Sequence, residues 1–282
     1  MGLGMVPIGI LTHNRHNLLD VTLRSLSASG LSEDQPLVVF DDGSDNEHTL
    51  RYLYSNDTVS THVNFPLGDP RWQFYLSGVK SRPIATGIKD KVQVVRMSEY
   101  SLGVVNAGCG AIRHLVSMFG RENGIILLQD DVVFTEGWLQ KMVDAVAGLP
   151  PDSPTAGLVT GCWLLTPNTD RNKPISLSEN GGTTAQCYYI TPTGLASAWH
   201  WITQQHTIRK QFDNKLVAAI RVGTSVYRMH PPVCQHIGID SKVRPGWKWK
   251  RFNSQGRVDY YIRGPYALAD EVRTFKGAPC SQ

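Results

Sequence analysis

The stretch Gly124-Ile-Ile-Leu-Leu-Gln-Asp-Asp-Val-Val-Phe134 limits what this chain can fold into more than any other. Gly124 to Leu128 is apolar or Gly; Gln129, Asp130 and Asp131 then arrive together, and the apolar run Val132-Val133-Phe134 follows at once. Apolar runs this short, bounded by a turn signal, read as strands buried on both faces of a sheet. Packing does not explain two adjacent carboxylates at the end of such a strand, because a buried charge without a partner is strongly penalised. Something cationic should compensate them, and a hard divalent ion with oxygen ligands is the simplest candidate. The alternative is a pair of turn or helix-capping aspartates.

The surrounding pattern supports a sheet. Val6 to Thr12 reads as a first buried strand, and His13-Asn14-Arg15 as the polar turn at its end. Leu19, Leu23 and Leu26 form the apolar stripe of a helix that stops near Gly30. Pro36 to Phe40 is a second strand, ending abruptly in Asp41-Asp42-Gly43-Ser44-Asp45, with a helix near 46–55. Val92 to Arg96 is a third strand, and Leu102 to Phe119 a helix whose Gly and Ala residues permit close packing on a sheet. A further helix runs from about Glu136 to Ala147. Strand, polar turn and helix, repeated, predict an α/β fold with a mostly parallel central sheet. Residues 46–90 read as an elaboration near the second strand, with Asp69-Pro70-Arg71 opening another helix. Beyond the loop at 149–154, the pattern predicts a strand or strand pair over 156–165, a mobile polar loop over 168–182 and a strand over 185–190. A helix from Pro192 to about His206, a short helix over 212–222 and a strand or turn from Pro231 follow. This divides one continuous domain into residues 1–150, 151–241 and a tail, 242–282.

Composition narrows the class. Hydrophobic residues at 41% and charged residues at 18% are ordinary for a soluble globular chain. No apolar run approaches the roughly 18 residues that a membrane span needs. The N-terminus leads into the first strand without a basic region or cleavage site, so no signal peptide is expected. The five cysteines are odd in number, widely spaced and lack a Cys-x-x-Cys pair, which predicts free buried thiols in a reducing compartment, the cytoplasm. Residues 242–282 hold nine Lys and Arg against three Asp and Glu, so the whole positive excess of the +4 chain sits in the tail.

In open α/β sheets, ligands bind beyond the C-terminal ends of the strands. Three such ends here carry polar clusters: Thr12 to Arg15, Asp41-Asp42, and Gln129 to Asp131. Three in succession predict one shared polar pocket. At this point the motifs resemble a known family. Pro7-Ile-Gly-Ile-Leu-Thr-His-Asn-Arg15, then Val38-Val-Phe-Asp-Asp-Gly-Ser-Asp45, then Leu127-Leu-Gln-Asp-Asp131, look like nucleotide-sugar glycosyltransferases of the GT-A (Rossmann-like) fold. The nearest similarity is to family-2 enzymes and related N-acetylglucosaminyltransferases. Leu102-Gly-Val-Val-Asn106 with Ala111-Ile-Arg113 resembles the Arg-bearing helix of those families. The resemblance covers residues 6–140 well and 185–241 more weakly.

The resemblance implies a UDP-sugar donor and a Mn²⁺ or Mg²⁺ ion. Thr12, Asn14, Arg15 and Arg113 would line the nucleotide-sugar, and Asp41 or Asp42 would accept a hydrogen bond from uracil. Asp131 would hold the metal against the diphosphate, with Asp130 near the ribose or sugar. Such an ion would neutralise charge building on the leaving nucleoside diphosphate. Gln129 departs from the pattern, since these families usually carry another acid there. Inverting members use an Asp or Glu as base on the acceptor hydroxyl, and Gln211-Phe-Asp213-Asn214 resembles that segment; a plain helix cap is the competing reading of Asp213. Pro231 to Ser241 resembles a Pro-x-x-x-Gln-His-x-Gly-x-x-Ser segment, which makes His236 a third metal ligand or a diphosphate contact, against the ordinary structural role of a lone His. Trp199 and Trp201 read as core packing, with one of them a possible floor for the acceptor.

Within 242–251 the cations interleave with Trp247 and Trp249 and no acid. That pattern suits a lid over the diphosphate, contact with an anionic membrane surface, or stacking on nucleic acid. The acceptor is accordingly a glycan or lipid-linked saccharide, or a base in DNA. Two other classes compete with a hexosyl- or pentosyltransferase. A nucleotidyltransferase would need a Gly-rich phosphate loop after the first strand, where this chain has Thr-His-Asn-Arg. A module that binds a nucleotide-sugar or nucleic acid without turnover is the other.

Overall fold

A computed structural model describes residues 5–32, 34–54, 92–161, 174–178, 186–204, 206–207, 211–230 and 232–236. The Asp69 helix and the basic tail from 242 lie outside the described residues. The first half alternates as the sequence pattern requires: β1 (Ile8–Thr12), α1 (His16–Ala28), β2 (Leu37–Asp41), α2 (Glu47–Tyr54), β3 (Val92–Arg96), α3 (Val104–Phe119) and β4 (Ile125–Gln129). A short strand, β5 (Val132–Phe134), and α4 (Trp138–Ala147) follow. The second half adds β6 (Ala156–Thr160), β7 (Ile175–Leu177), β8 (Cys187–Ile190), α5 (Pro192–Thr203), α6 (Phe212–Ile220), β9 (Ser225–Met229) and β10 (Cys234–His236).

Eight strands form one sheet in the order β3-β2-β1-β4-β8-β6-β9-β7. β3, β2, β1 and β4 are parallel neighbours, as are β6 and β9. β8 runs antiparallel to both β4 and β6, and β7 antiparallel to β9. The sheet is therefore mostly parallel, and it continues across the boundary near residue 150 through the β4–β8 pairing.

Two apolar layers cover it. On one face Ile8, Ile10, Val39, Ile126 and Leu128 meet Leu19, Leu23 and Leu26 of α1 and Trp138 and Met142 of α4. On the other, Leu11, Val38, Phe40, Ile125 and Leu127 meet Ile112 and Leu115 of α3, with α5 and α6 alongside. Alternate residues of each strand thus serve opposite layers, which is why the strands read as unbroken apolar runs. Each fully buried Leu or Ile contributes roughly 1.5–3 kcal/mol. Gly9 sets the approach of α3, because a Cβ there would lie 2.9 Å from both Leu115 and Phe40.

Two expectations are corrected. The polar stretch 168–182 is not all loop: Ile175–Leu177 forms β7, which gains its place by pairing with β9. β9 itself, a central strand of the second half, was not foreseen, because Ser225-Val-Tyr-Arg-Met229 carries a buried Arg228 where apolar residues signal a strand. The free, buried state of Cys109, Cys187 and Cys234 matches their reading as thiols. Among the described residues, no helix is long and apolar enough to cross a membrane.

Candidate functional site: an acid pair at the strand ends

Parallel pairing brings the ends of β2, β1 and β4 to one edge of the sheet. Thr12 lies in register with Asp41, and Leu11 with Gln129. The chain then leaves β4 through Asp130 and Asp131, both 3% exposed or less. Thr12 Oγ1 donates to Asp130 Oδ2 at 2.7 Å. Arg15 Nη2 lies 3.3 Å from Asp130 Oδ1 and also donates to Asp131 Oδ2. The cation demanded by two buried carboxylates is thus supplied from the loop after β1. These contacts of the pair run across the sheet to Thr12 and Arg15, which a helix cap does not require.

Arg15 is held for this task by the turn before it. Asn14 adopts a left-handed backbone, φ +56°, which Asn tolerates better than most residues. Its Oδ1 accepts from the backbone N–H of Asp45 and Asn46, at 2.9 and 2.8 Å, and its own N–H donates to Ser44 Oγ at 2.9 Å. Asn14 therefore ties the loop after β1 to the loop after β2, and Arg15 follows as the cap residue of α1. Thr22 and Ser25 on the buried face of α1 fasten β5, accepting from Val132 N and Phe134 N at 3.1 and 2.7 Å.

The electrostatics follow from burial. It pushes the Asp130 carboxyl up to about 7, with the Arg15 charge opposing and the Asp131 charge adding to the rise. Burial works against the Arg15 guanidinium, but Asp130 and Asp131 outweigh it and leave its pKa raised.

Asp41 and Asp42 sit differently. Asp41, fully buried, accepts from Ser44 N at 3.0 Å and Tyr54 Oη at 2.9 Å, with Arg96 Nη1 3.7 Å away. The Arg96 guanidinium also lies 5.8 Å from the centre of the Tyr54 ring. Asp42 accepts from the backbone N–H of Leu102 and Gly103, at 2.7 and 3.2 Å, and from Ser101 Oγ at 2.8 Å. Burial raises its pKa against those bonds. Tyr54, Arg96 and Ser101 were not foreseen as partners; a polar residue ending a third parallel strand, Arg96, was the available signal.

The remaining candidates fall in three places. Arg113, buried in α3, neighbours Cys109, whose thiol burial pushes up to about 12, and its own pKa falls to about 10 through burial. It also acts on His206, whose pKa is lowered first by burial. His236 pairs through its backbone with Val132, one residue beyond Asp131. Asp213 occupies the first turn of α6, whose cap residue Gln211 makes no side-chain bond to the helix. β8 starts at the functional edge, since Cys187 pairs with Leu128, so α5 returns to that edge and α6 begins there. Asn106 of α3 clamps the connection through two bonds to the His206 backbone, at 3.0 and 3.2 Å. Trp201 packs on His206 and Phe212, as core packing predicts. Among the described residues, no three His, Cys, Asp or Glu cluster as a metal site.

A mostly parallel sheet with helices on both faces and an acid pair at its strand ends defines the class of molecule. No family model matches the sequence. No curated protein matches it. Among solved structures, S. aureus TarS 1–349 in complex with UDP-GlcNAc matches with a TM-score of 0.55 and 10% identity, over 85% of this chain and 60% of that one. S. aureus TarS 1–349 matches at 0.49 and 10% identity, over 81% of this chain and 58% of that one. A further S. aureus TarS structure matches at 0.44 and 14% identity, over 80% and 36%. This chain thus spans 60% or less of each of these three chains. The first of these likenesses shows a shared fold.

Proposed function

We propose that the chain is a glycosyltransferase that takes a sugar from a UDP-sugar. The observation that carries this reading is the buried Asp130–Asp131 pair, bridged by Arg15 and backed by Thr12, at the ligand-binding edge of a fold shared with a UDP-GlcNAc-bound protein. A buried acid whose proton affinity is shifted by burial and by charged neighbours, as that of Asp130 is, marks a candidate functional site.

In this reading the donor diphosphate lies over the strand ends, with Arg15 as its protein cation. The uracil edge meets Asp42, which keeps slight exposure, while the sealed Asp41 braces the pocket through Tyr54 and Arg96. Asp130 reaches the ribose or sugar. The donor set suits a hard divalent ion in kind, since carboxylate oxygens are the ligands Mn²⁺ and Mg²⁺ prefer. Asp131 would hold that ion, with His236 as a further ligand; the ion would supply charge neutralisation at the leaving diphosphate. Asp213, at the start of α6 on the same edge, would take the proton from the acceptor hydroxyl in an inverting transfer. The acceptor is a glycan or a nucleic-acid base.

The test is a screen of nucleotide-sugars for hydrolysis, with and without Mn²⁺, accompanied by thermal shift. UDP-sugars should be hydrolysed slowly and raise the melting temperature. No hydrolysis and no shift with any of them would sink the proposal.

A further inference from the structure

Arg15 spans two carboxylates, and in the proposed reaction those carboxylates also have to receive a metal. We propose that Arg15 is a latch, which closes the acid pair in the donor-free protein and opens when a nucleoside diphosphate draws the guanidinium onto its phosphates. The metal then binds after the donor and not before. This inference rests on the proposed donor and metal roles, and gives Arg15 two successive partners.

Geometry supplies the first argument. One guanidinium nitrogen serves both residues, donating to Asp131 Oδ2 while 3.3 Å from Asp130 Oδ1. One oxygen of each acid is therefore already faced by a cation. The second Asp130 oxygen is taken by Thr12. A divalent ion entering this pocket with Arg15 in place would sit next to a fixed positive charge, in a region where little water screens the repulsion.

Charge balance supplies the second. When both acids are ionised, Asp130, Asp131 and Arg15 together carry one net negative charge. Adding a divalent ion alone overshoots, while adding a diphosphate alone overloads the pocket with negative charge. Adding both, with Arg15 moved to the phosphates, leaves each cation beside its own anions. Arg is suited to the exchange, because its planar fork pairs equally well with carboxylate and phosphate.

Mobility supplies the third. The backbone of the loop is fixed by the bonds of Asn14 to Ser44, Asp45 and Asn46, so the base of Arg15 does not wander. Its side chain, by contrast, is 22% exposed, whereas those of Asp130 and Asp131 are 3% and 4% exposed. The carboxylates are anchored and the guanidinium is the partner with a way out.

The experiment reads Mn²⁺ binding by the loss of the free-ion electron paramagnetic resonance signal, in the full chain without nucleotide. Wild type should bind Mn²⁺ weakly. Arg15→Gln, which keeps a hydrogen-bond donor but removes the charge, and Arg15→Met should each bind it at least about tenfold more tightly. Adding Asp131→Asn to Arg15→Gln should abolish that gain. Thermal melting first establishes that each variant is folded, and Arg15→Gln stands in if Arg15→Met is not. Equal affinity in wild type and variants, or no binding by any of them, overturns the latch. UDP binding without metal, followed by calorimetry, is read separately: it should weaken by about tenfold or more in Arg15→Gln. Undiminished UDP binding in that variant overturns the exchange. Failure of wild type to bind UDP at all sinks the proposed donor instead, and the Mn²⁺ comparison still decides whether Arg15 blocks the acids.

Discussion

Asp41-Asp42 and Asp130-Asp131 are the same device written twice: an apolar strand ending in two adjacent acids. They end β2 and β4, the two neighbours of β1. Their surroundings separate them. Asp41 and Asp42 receive backbone N–H groups from Ser44, Leu102 and Gly103, donors fixed by the chain itself. They hold the turn after β2 to the start of α3 and to Tyr54. Among the described residues, the Thr12 hydroxyl and the long cationic side chain of Arg15 reach Asp130 and Asp131 from across the sheet. Backbone donors make a brace, because they cannot leave without unfolding something. A guanidinium on a flexible stem makes a site, because its partner can be exchanged.

That contrast can be broken by substitution. The largest effect is expected from Asp131→Asn, which should reduce glycosyl transfer or donor hydrolysis about a thousandfold while the fold stays intact by circular dichroism. Activity retained within about tenfold would place the working acids elsewhere and erase the distinction. A protein that only binds nucleotide-sugar would show lost affinity and no rate to lose. Asp42→Ala should cost stability as well as donor affinity, lowering the unfolding free energy by about 3 kcal/mol in denaturant, since three donors near α3 lose their acceptor. Gly43→Ala sharpens the same side. Its backbone is left-handed at φ +65°, and a Cβ would fall 2.3 Å from the Tyr100 carbonyl carbon, so about 2 kcal/mol should be lost.

A further effect concerns pH. The Asp130 carboxyl is raised to about 7 in the folded protein, against about 3.9 in an unfolded chain. Between those values the folded state binds the proton more tightly, so Asp130 makes stability fall as pH rises from about 4 to 7. Asp130→Asn should flatten that slope in melting temperature measured across the interval. An unchanged slope in Asp130→Asn would mean that Arg15 compensates the charge fully.

Much of the first half was legible, because each element announces itself locally. Leu19, Leu23 and Leu26 mark the face of α1, and the runs before Thr12, Asp41 and Gln129 mark buried strands. The second half was less so. β9 is a strand because it pairs with β6, and β7 because it pairs with β9; their polar residues Ser176 and Arg228 are acceptable only once that pairing exists. The candidate site divides in the same way. Polar residues at three strand ends were visible, whereas the bracing of Asp41 by Tyr54 and of Asp42 by Ser101 was not.

The sequence by itself determined that two carboxylates would be buried at the end of a strand and would need a cation. Only the tertiary structure decided which cation answers in this state. Arg15 lies 116 positions from Asp131, and nothing local links them. The β1–β4 register, with Leu11 opposite Gln129, carries the turn after one strand to the acids after the other. Charge pairing depends on distance in space, and that distance is a property of the sheet, not of either segment alone.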